Sequence, residues 1–258
     1  MLQQERLHRI QTLLKKLQRL STERVMNELD ISRETARRDI IELEALGVAK
    51  RVHGGIVAVD SVAVEAPLHI RNTQYAKEKR AIARAAIQHL QAGQTIFLDA
   101  GSTTSILAEE LRTISGLTIL TNSLQAVFNL TMANNAEQIN HEIILLGGRV
   151  QQRPQTQGEW VIQEIFRYQA DVALLSPVGI HPEYGASSFY TEEAQIAQAM
   201  VKQSQRTLIL ADQSKLGVVS RINYAKPLDI DCVISNVNEK SEIDIAAYQN
   251  AFQMFELV

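Results

Sequence analysis

The N-terminal fold is decided by residues 21–55, which run STERVMNELDISRETARRDIIELEALGVAKRVHGG. Ser21 and Ser32 can each cap a helix with a side-chain oxygen, so we expect helices over 22–29 and from Ser32 to about Leu46. Short apolar runs on either side of the glycine pair at 54–55 predict a hairpin. Upstream, a first helix is predicted by the apolar residues at helical spacing, which are Leu7, Ile10, Leu14 and Leu17. Three helices followed by a hairpin make a winged helix-turn-helix.

The third of these helices carries arginine on its outer side. If Ala36 and Ile40 face the core, steps of about 100° per residue put Arg38 roughly opposite. The first turns of a recognition helix reach base edges in the major groove, where an arginine fork can bond O6 and N7 of guanine together. Helix-start hydroxyls and cations on the wing suit phosphates. The candidate DNA-binding residues are therefore Ser21, Thr22, Ser32, Arg33, Glu34, Thr35, Arg37, Arg38, Arg51 and His53.

Charge is divided unevenly along the chain. The formal net charge is −3, but residues 1–57 carry a net +3 and the remainder a net −6. A small basic N-terminal part followed by a larger acidic part suggests that only the N-terminal part binds a polyanion, and double-stranded DNA is the polyanion that we expect. The alternative for the third helix is a solvated face laced with salt bridges, because Glu34, Asp39 and Glu42 lie among the arginines.

The periodicity changes after about residue 60. Short apolar runs then alternate with helical stretches, which predicts an α/β fold with a mainly parallel sheet and helices on both faces. The expected strands are 95–98, 117–120, 143–146, 172–175, 207–210, 232–234 and a final one within 252–258. We therefore expect a winged helix-turn-helix domain at 1–58, a linker at 59–75 and an α/β sensor and oligomerisation domain at 76–258.

Polar turns follow four of these strands, at what would be one edge of the sheet. The first reads DAGSTT over 99–104 and opens a helix, where free N–H groups and hydroxyls favour a phosphate. The others are TNS at 121–123, the glycines at 147–148 and ADQSK at 211–215. A carboxylate and an ammonium in the last of them suit sugar hydroxyls and phosphate. For the first turn alone, an ordinary Ser/Thr helix cap is the alternative.

The chain resembles the DeoR family of transcriptional regulators. The resemblance rests on Ile31-Ser32, Thr35–Asp39 and Arg51–Gly55 in the head, and on Asp99–Thr104, Thr121–Ser123, Gly147-Gly148, Gly179 and Asp212–Gly217 in the body. It implies that the head binds operator DNA and that the body, similar in fold to ribose-5-phosphate isomerase, senses phosphorylated sugars. The effector-binding residues that it implies are Asp99, Gly101, Ser102, Thr103, Thr104, Asn122, Gly148, Gly179, Asp212 and Lys215, with Lys77 or Lys79 as a secondary contact.

These observations predict a repressor of a carbohydrate-metabolism operon that a phosphorylated sugar releases from its operator. A homo-oligomer, dimer or tetramer, is expected because one small head offers few base contacts. Two alternatives stay open. One is a sugar-phosphate isomerase-like enzyme with an accessory head, which we disfavour because the acidic and glycine-rich segments of the isomerase family have no counterpart here. The other is an activator, or a DNA-binding protein whose body only oligomerises.

We expect a cytoplasmic protein. We also expect that it does not associate with a membrane and that it binds neither a cofactor nor a metal. The start, MLQQERLHRI, is too polar for a signal peptide, and no apolar stretch approaches the ~18 residues of a transmembrane helix. Cys232 is the single cysteine, so it cannot form an internal disulfide or a CxxC clip. The six histidines show neither HxxxH nor HExxH spacing.

Overall fold

A computed structural model describes residues 3–17, 19–52, 54–58, 67–131, 141–237 and 243–258. The chain divides into two compact units, 1–70 and 71–258, which we call the head and the body. The limits expected from the sequence, including a linker at 59–75, stay a prediction, and most of that linker lies outside the described residues. Among the described residues, no helix has the length and apolar character that crossing a bilayer requires.

The head contains three helices and a small antiparallel sheet, as the sequence predicts. In chain order these elements are α1 (Gln3–Leu17), β1 (Arg19–Ser21), α2 (Thr22–Leu29), α3 (Arg33–Ala45), β2 (Ala49–Val52) and β3 (Gly55–Ala58). Ser21 Oγ accepts the Arg24 N–H at 3.1 Å and Ser32 Oγ accepts the Thr35 N–H at 3.2 Å. Each serine therefore satisfies a free donor at a helix start, which confirms both predicted caps.

One strand of the head was not predicted. Residues 19–21 form β1, which pairs antiparallel with β3 and makes the sheet order β1-β3-β2. Gly55 lies at this pairing, and a Cβ added to it would lie 2.1 Å from the carbonyl oxygen of Leu20. The neighbouring Gly54 has a φ of +82° and open space around it, so it is needed for its conformation alone. The glycine pair thus serves two different purposes in the wing.

The body alternates strands with helices. Its elements are α4 (Leu68–Thr73, which begins in the head and ends in the body), α5 (Ala76–Ile87), β4 (Thr95–Leu98), α6 (Ser102–Glu110), β5 (Thr118–Thr121), α7 (Leu124–Thr131), β6 (Glu142–Leu145), β7 (Arg149–Val150), β8 (Thr156–Gln157), α8 (Glu159–Ile165), β9 (Ala170–Leu175), β10 (Gly179–His181), β11 (Gly185–Ser188), α9 (Thr191–Lys202), β12 (Ser204–Ala211), β13 (Ile222–Ala225), β14 (Cys232–Ser235), α10 (Ile245–Ala251) and β15 (Met254–Leu257). The predicted strands are all present, within a few residues of the expected bounds.

Seven of these strands form one parallel sheet in the order β15-β14-β12-β9-β4-β5-β6. Because all seven run the same way, their carboxyl ends meet at a single edge of the sheet, which is where ligands bind in open α/β sheets. The predicted C-terminal strand lies at one side of this sheet. An antiparallel sheet, β10-β11-β13, and a hairpin, β7-β8, were not predicted.

Three separate apolar cores hold the two units. One packs α5, α6 and α7 on one face of the parallel sheet, and another packs α8, α9 and α10 on the opposite face. The third lies within the head and contains buried residues from Ile10 to Ile56. Each core draws its residues from one unit only. The fold class is thus confirmed: a small winged helix-turn-helix followed by a larger α/β unit.

Candidate DNA-binding surface and effector site

The outer face of α3 carries the predicted recognition residues. Arg33, Glu34, Arg37 and Arg38 are all exposed, whereas Ala36, Ile40 and Leu43 are buried beneath them. Thr35 is half-buried, and its hydroxyl exchanges a hydrogen bond of 2.9 Å with the Ser32 hydroxyl at the helix start. This face therefore presents three guanidinium groups to solvent at the beginning of the second helix of a helix-turn-helix, where base contacts are made.

Two of the predicted DNA contacts have acidic partners in the free head. Arg38 pairs with Glu34 one turn earlier on α3, and both side chains are about three-quarters exposed. On the wing, Arg51 Nε lies 2.5 Å from Glu44 Oε2. Exposed pairs of this kind contribute little stability, so a phosphate or a base can replace the carboxylate at low cost. The salt-bridged face that was the alternative on sequence grounds is therefore present, and it is compatible with DNA binding.

A largely buried ion pair inside the head joins α3 to α1. Asp39 is 1% exposed and accepts from Arg6 Nε at 2.7 Å and from Arg6 Nη2 at 3.0 Å. The bidentate geometry ties α3 to α1. The sequence analysis grouped Asp39 with the solvated charges, but the structure places it on the inner face.

Of the other predicted DNA-binding residues, Ser21 and Thr22 lie at the start of α2, whereas His53 lies outside the described residues.

The turn that follows β4 is built around a glycine. A Cβ added to Gly101 would lie 2.7 Å from Ser176 Cβ and 3.1 Å from Thr104 Oγ1, so only glycine fits between the ends of β4 and β9. Gly101 precedes α6, and the next four side chains, at 102–105, are all buried. Asp99 accepts the Ala100 N–H at 2.7 Å. Buried hydroxyls thus surround the positive end of a nine-residue helix.

Three buried oxygen atoms near this edge have no hydrogen-bond partner within the described residues. They are Thr104 Oγ1 on α6, Asn122 Oδ1 after β5 and the Tyr224 hydroxyl on β13. Unpaired buried polar groups cost free energy and are rare, so a bound polar molecule or water is the expected partner. Burial raises the pKa of Tyr224 well above its usual value, and the negative charge of Asp99 raises it further by a smaller amount. The hydroxyl therefore stays protonated and can donate a hydrogen bond.

Tyr224 was missed by sequence reasoning. It lies in the four-residue strand Ile222–Ala225 (INYA), before the turn at 226–229, and this strand has neither a motif nor an apolar periodicity of its own. Its strand pairs with β11, so only the tertiary fold brings it near Asp99. No signal in the sequence would have identified it.

The predicted carboxylate at 212 is engaged by protein groups. Asp212 is 1% exposed, and its Oδ1 accepts from the Ser214 N–H at 3.0 Å and the Ser214 hydroxyl at 2.5 Å. Its Oδ2 lies 3.8 Å from Lys79 Nζ, which is itself buried and donates to the Arg71 carbonyl at 2.6 Å. Lys215 follows in the same turn and is half-buried. Asp212 therefore holds a turn and a lysine in place at the carboxyl edge.

The two remaining predicted glycines have packing roles. A Cβ on Gly148 would lie 2.5 Å from Val161 Cγ2, and one on Gly179 would lie 2.3 Å from the Val218 carbonyl oxygen. Both positions therefore require glycine whether or not a ligand approaches. Asn122 differs, since its Nδ2 donates to the Thr156 carbonyl at 3.3 Å while its Oδ1 stays unpaired.

A cleft of about 210 Å³ lies next to α9, away from the predicted residues. Its lining includes Arg153, Tyr190 and Glu192, and none of the ten predicted effector residues belongs to it. Arg153 stacks over the Tyr190 ring at 4.1 Å and pairs with Glu193, so the charges here neutralise one another. We place the candidate effector site at the strand ends, because the unpaired buried oxygens of Thr104 and Asn122 lie there.

One chain thus carries a helix-turn-helix with exposed arginines and, in a second unit, an α/β fold with a buried polar edge, and this combination is that of a transcriptional regulator. Comparison with known families agrees: a DeoR-like helix-turn-helix domain matches residues 6–62, and the DeoR C terminal sensor domain matches residues 74–237. The chain therefore belongs to the DeoR family and is a DNA-binding transcriptional regulator. The resemblance seen in the sequence is confirmed over both units.

Individual relatives extend over nearly the whole chain. The chain is 32% identical to the HTH-type transcriptional repressor GlcR of Bacillus subtilis, over 92% of this chain and 89% of that one. It is 30% identical to the glycerol-3-phosphate regulon repressor of Escherichia coli, over 92% of each chain. Among solved structures, ribose 5-phosphate isomerase A of Methanocaldococcus jannaschii covers 55% of each chain at 18% identity with a TM-score of 0.38. A TM-score at that level supports no conclusion about activity.

Proposed function

We propose that the chain represses a carbohydrate-use operon and leaves its operator when the body binds a phosphorylated sugar. Relatives named as repressors of the glycerol-3-phosphate regulon and of the lactose phosphotransferase system support this direction of control. The observation that carries the effector half of the proposal is the unpaired, fully buried hydroxyl of Thr104 in the first turn of α6. A phosphate oxygen there would pair with that hydroxyl and meet free N–H groups of the helix start.

The effector residues fall into two groups. Ser102, Thr103 and Thr104 would hold the phosphate, while Asn122 and Tyr224 would meet sugar hydroxyls with the polar atoms that lack protein partners. Asp99, which influences Tyr224 electrostatically, would accept from a hydroxyl. Lys79 and Lys215 supply positive charge at the same edge. Asp212 acts as a positioning residue, because both of its oxygens already face protein groups.

We further propose that the protein works as a homo-oligomer, a dimer or a tetramer, with paired heads on repeated half-sites. Effector binding would favour a state whose heads no longer match the half-site spacing, which is a population shift. The protein needs no catalysis for this role. Two carboxylates of the body already have protein partners: Glu193 contacts Arg153, Gln155 and Ser188, and Asp212 contacts Ser214 and Lys79.

Replacing Arg38 with alanine tests the DNA-binding half of the proposal. If Arg38 contacts a base, operator affinity falls by roughly 10–100-fold and the preference at one base pair is lost, because a bidentate pair is worth about 1–3 kcal/mol. Binding measured by fluorescence anisotropy on operator variants and at several salt concentrations provides the check. Arg167→Ala is the matched control, because it removes an exposed positive charge from the body, just after α8. The affinity of this variant for operator DNA should be unchanged.

A uniform loss on every sequence with a smaller salt slope would instead make Arg38 a phosphate contact. Unchanged affinity would contradict the assignment of α3 as the recognition helix. Glu34→Gln sharpens the comparison, because it releases Arg38 from its partner and should raise affinity for any DNA.

Replacing Thr104 with valine tests the effector half. The unpaired hydroxyl is lost and the size is kept, so the free energy of unfolding should stay constant or rise by up to about 1 kcal/mol. Effector binding should nevertheless fail. Thermal unfolding against a panel of phosphorylated sugars, each beside its unphosphorylated form, measures both quantities. A ligand at about a hundred times its dissociation constant adds roughly 2.7 kcal/mol to wild type, and the variant should lose that gain.

The matched control is Thr121→Val. Thr121 Oγ1 is also buried, but it donates to the Leu98 carbonyl at 2.7 Å and accepts the Ser123 N–H at 3.0 Å. Its removal should cost about 1–3 kcal/mol of stability, because two partners are left unpaired. If Thr104→Val destabilises as much as Thr121→Val and keeps the ligand response, the assignment of Thr104 to the effector is wrong.

A further inference from the structure

Three side chains with metal-binding atoms meet on the body, away from the candidate effector site. They are His89, Cys232 and Glu256, and their donor atoms all lie within 4.8 Å of one another. His89 Nε2 lies 2.7 Å from Glu256 Oε2. Cys232 is 3% exposed, and the side chains of His89 and Glu256 are 18% and 33% exposed, so the cluster is sheltered yet reachable from solvent.

The fold brings these donors together from three elements. Cys232 opens β14, and Glu256 lies on the neighbouring β15 in register with Ile234. Since side chains alternate along a strand, Cys232 and Ile234 share one face, which packs against α5. His89 lies in the turn directly after α5, and Arg206 Nη2 holds that turn through the His89 carbonyl at 2.8 Å. Each donor is therefore fixed by a different part of the body.

We propose that His89, Cys232 and Glu256 bind a divalent transition-metal ion, Zn²⁺ foremost, with water as a fourth ligand. Thiolate, imidazole and carboxylate are the donors that zinc takes, at bond lengths of about 2.0–2.3 Å. Ligand atoms on one tetrahedral zinc lie about 3.3–3.8 Å apart at those lengths. The imidazole nitrogen and the carboxylate oxygen, which are 2.7 Å apart, would have to separate by less than about 1 Å. The thiol sulfur lies no more than 4.8 Å from either atom, so it would have to move by at most about 1.5 Å.

The charges balance on binding. The thiol of Cys232 loses its proton to solvent as the zinc–sulfur bond forms, and the thiolate and the Glu256 carboxylate together neutralise Zn²⁺. Without a metal, burial raises the pKa of the Cys232 thiol to about 12. The metal-free thiol is therefore protonated and unreactive, which disfavours a redox role for this cysteine.

The sequence could not reveal this site. The expectation of no metal rested on short-range spacing, but the donors are separated by more than a hundred residues between His89 and Cys232. A bound ion would join β15, which pairs with β14 alone within the described sheet, to the end of α5. The expected effect is a more stable body, because a ligand that binds only the folded state stabilises it.

The full-length protein, stripped with a chelator and dialysed, allows the test. We expect one Zn²⁺ per chain by metal analysis, and a rise of about 5–10 °C in Tm at zinc near a hundred times its dissociation constant. Co²⁺ in place of zinc should give a sulfur-to-metal charge-transfer absorption that Cys232→Ser abolishes. His89→Gln and Glu256→Gln should each weaken zinc by at least about tenfold.

His69→Gln is the matched control, since His69 is an exposed histidine on α4 and should leave zinc binding unchanged. Circular dichroism of each variant checks that it is folded. The charge-transfer band of the Co²⁺-loaded wild-type protein tests thiolate ligation directly, so the test still stands if one of the variants misfolds. Absence of the thiolate band, absence of stoichiometric zinc, or equal loss in His69→Gln would each overturn the site.

Discussion

Lys79→Met is expected to destabilise the body by about 3–5 kcal/mol, the cost of leaving one partner of a buried ion pair alone. Lys79 and Asp212 are 2% and 1% exposed, so the carboxylate that the substitution leaves without its ammonium is largely shielded from solvent. The variant also loses the hydrogen bond to the Arg71 carbonyl. Urea unfolding of full-length protein, followed by a probe that reports the body, measures the change.

A second substitution separates charge from packing. Asp212→Asn in the Lys79→Met background removes the uncompensated carboxylate, so the double variant should regain a substantial part of the lost stability. Lys77→Met, an exposed lysine on the same helix, should change stability by no more than about 0.5 kcal/mol. A cost below about 1 kcal/mol for Lys79→Met, with no recovery in the double variant, would refute the importance of the pair.

Gly55→Ala should abolish operator binding by unfolding the wing. The new Cβ would lie 2.1 Å from the Leu20 carbonyl oxygen and 2.7 Å from the Ser21 Cα, and both are backbone atoms that cannot turn aside. Relief requires β1 and β3 to separate, which also disturbs the cap that Ser21 gives α2. We expect a cost of about 3 kcal/mol, the upper end for overpacking, and a head this small has little more than that to lose.

The adjacent glycine provides the control. Gly54→Ala meets nothing within 4 Å and bears only the penalty of a positive φ, about 1–2 kcal/mol. Operator binding by Gly54→Ala should therefore be weakened far less than by Gly55→Ala, while sugar-phosphate binding by the body is unchanged in both. Equal effects of the two substitutions on operator affinity would show that backbone contact is not what constrains Gly55.

Much of the fold could be predicted because its signals are local. Ser21 and Ser32 cap helices within three residues of themselves, and the strand at 95–98 is a short apolar run ending in a polar turn. The β1 strand gave no such signal, since its three residues form a strand only because they pair with β3, more than 30 residues further along the chain. Tertiary pairing of this kind has no periodicity to detect.

The candidate site divides in the same way. The turn at 99–104 was predicted from residue types that favour phosphate, and the structure adds that the Thr104 hydroxyl is buried with no partner among the described residues. Asp39 shows the limit of arguments from residue type: the helical period places it inward with Ala36, but its charge led us to group it with the solvated residues. The decisive partner, Arg6, lies on another helix. Long-range partners of this kind also explain why Tyr224 was missed.

The confinement of each apolar core to a single unit has an evolutionary consequence. A substitution within the head core and one within a body core should have additive effects on stability, because no residue belongs to both cores. A lineage can therefore change which DNA sequence it reads by altering α3, without compensating substitutions in the apolar cores of the body. Recombination that exchanges heads between paralogues would likewise leave all three cores intact, which offers a direct route to new regulators from existing domains.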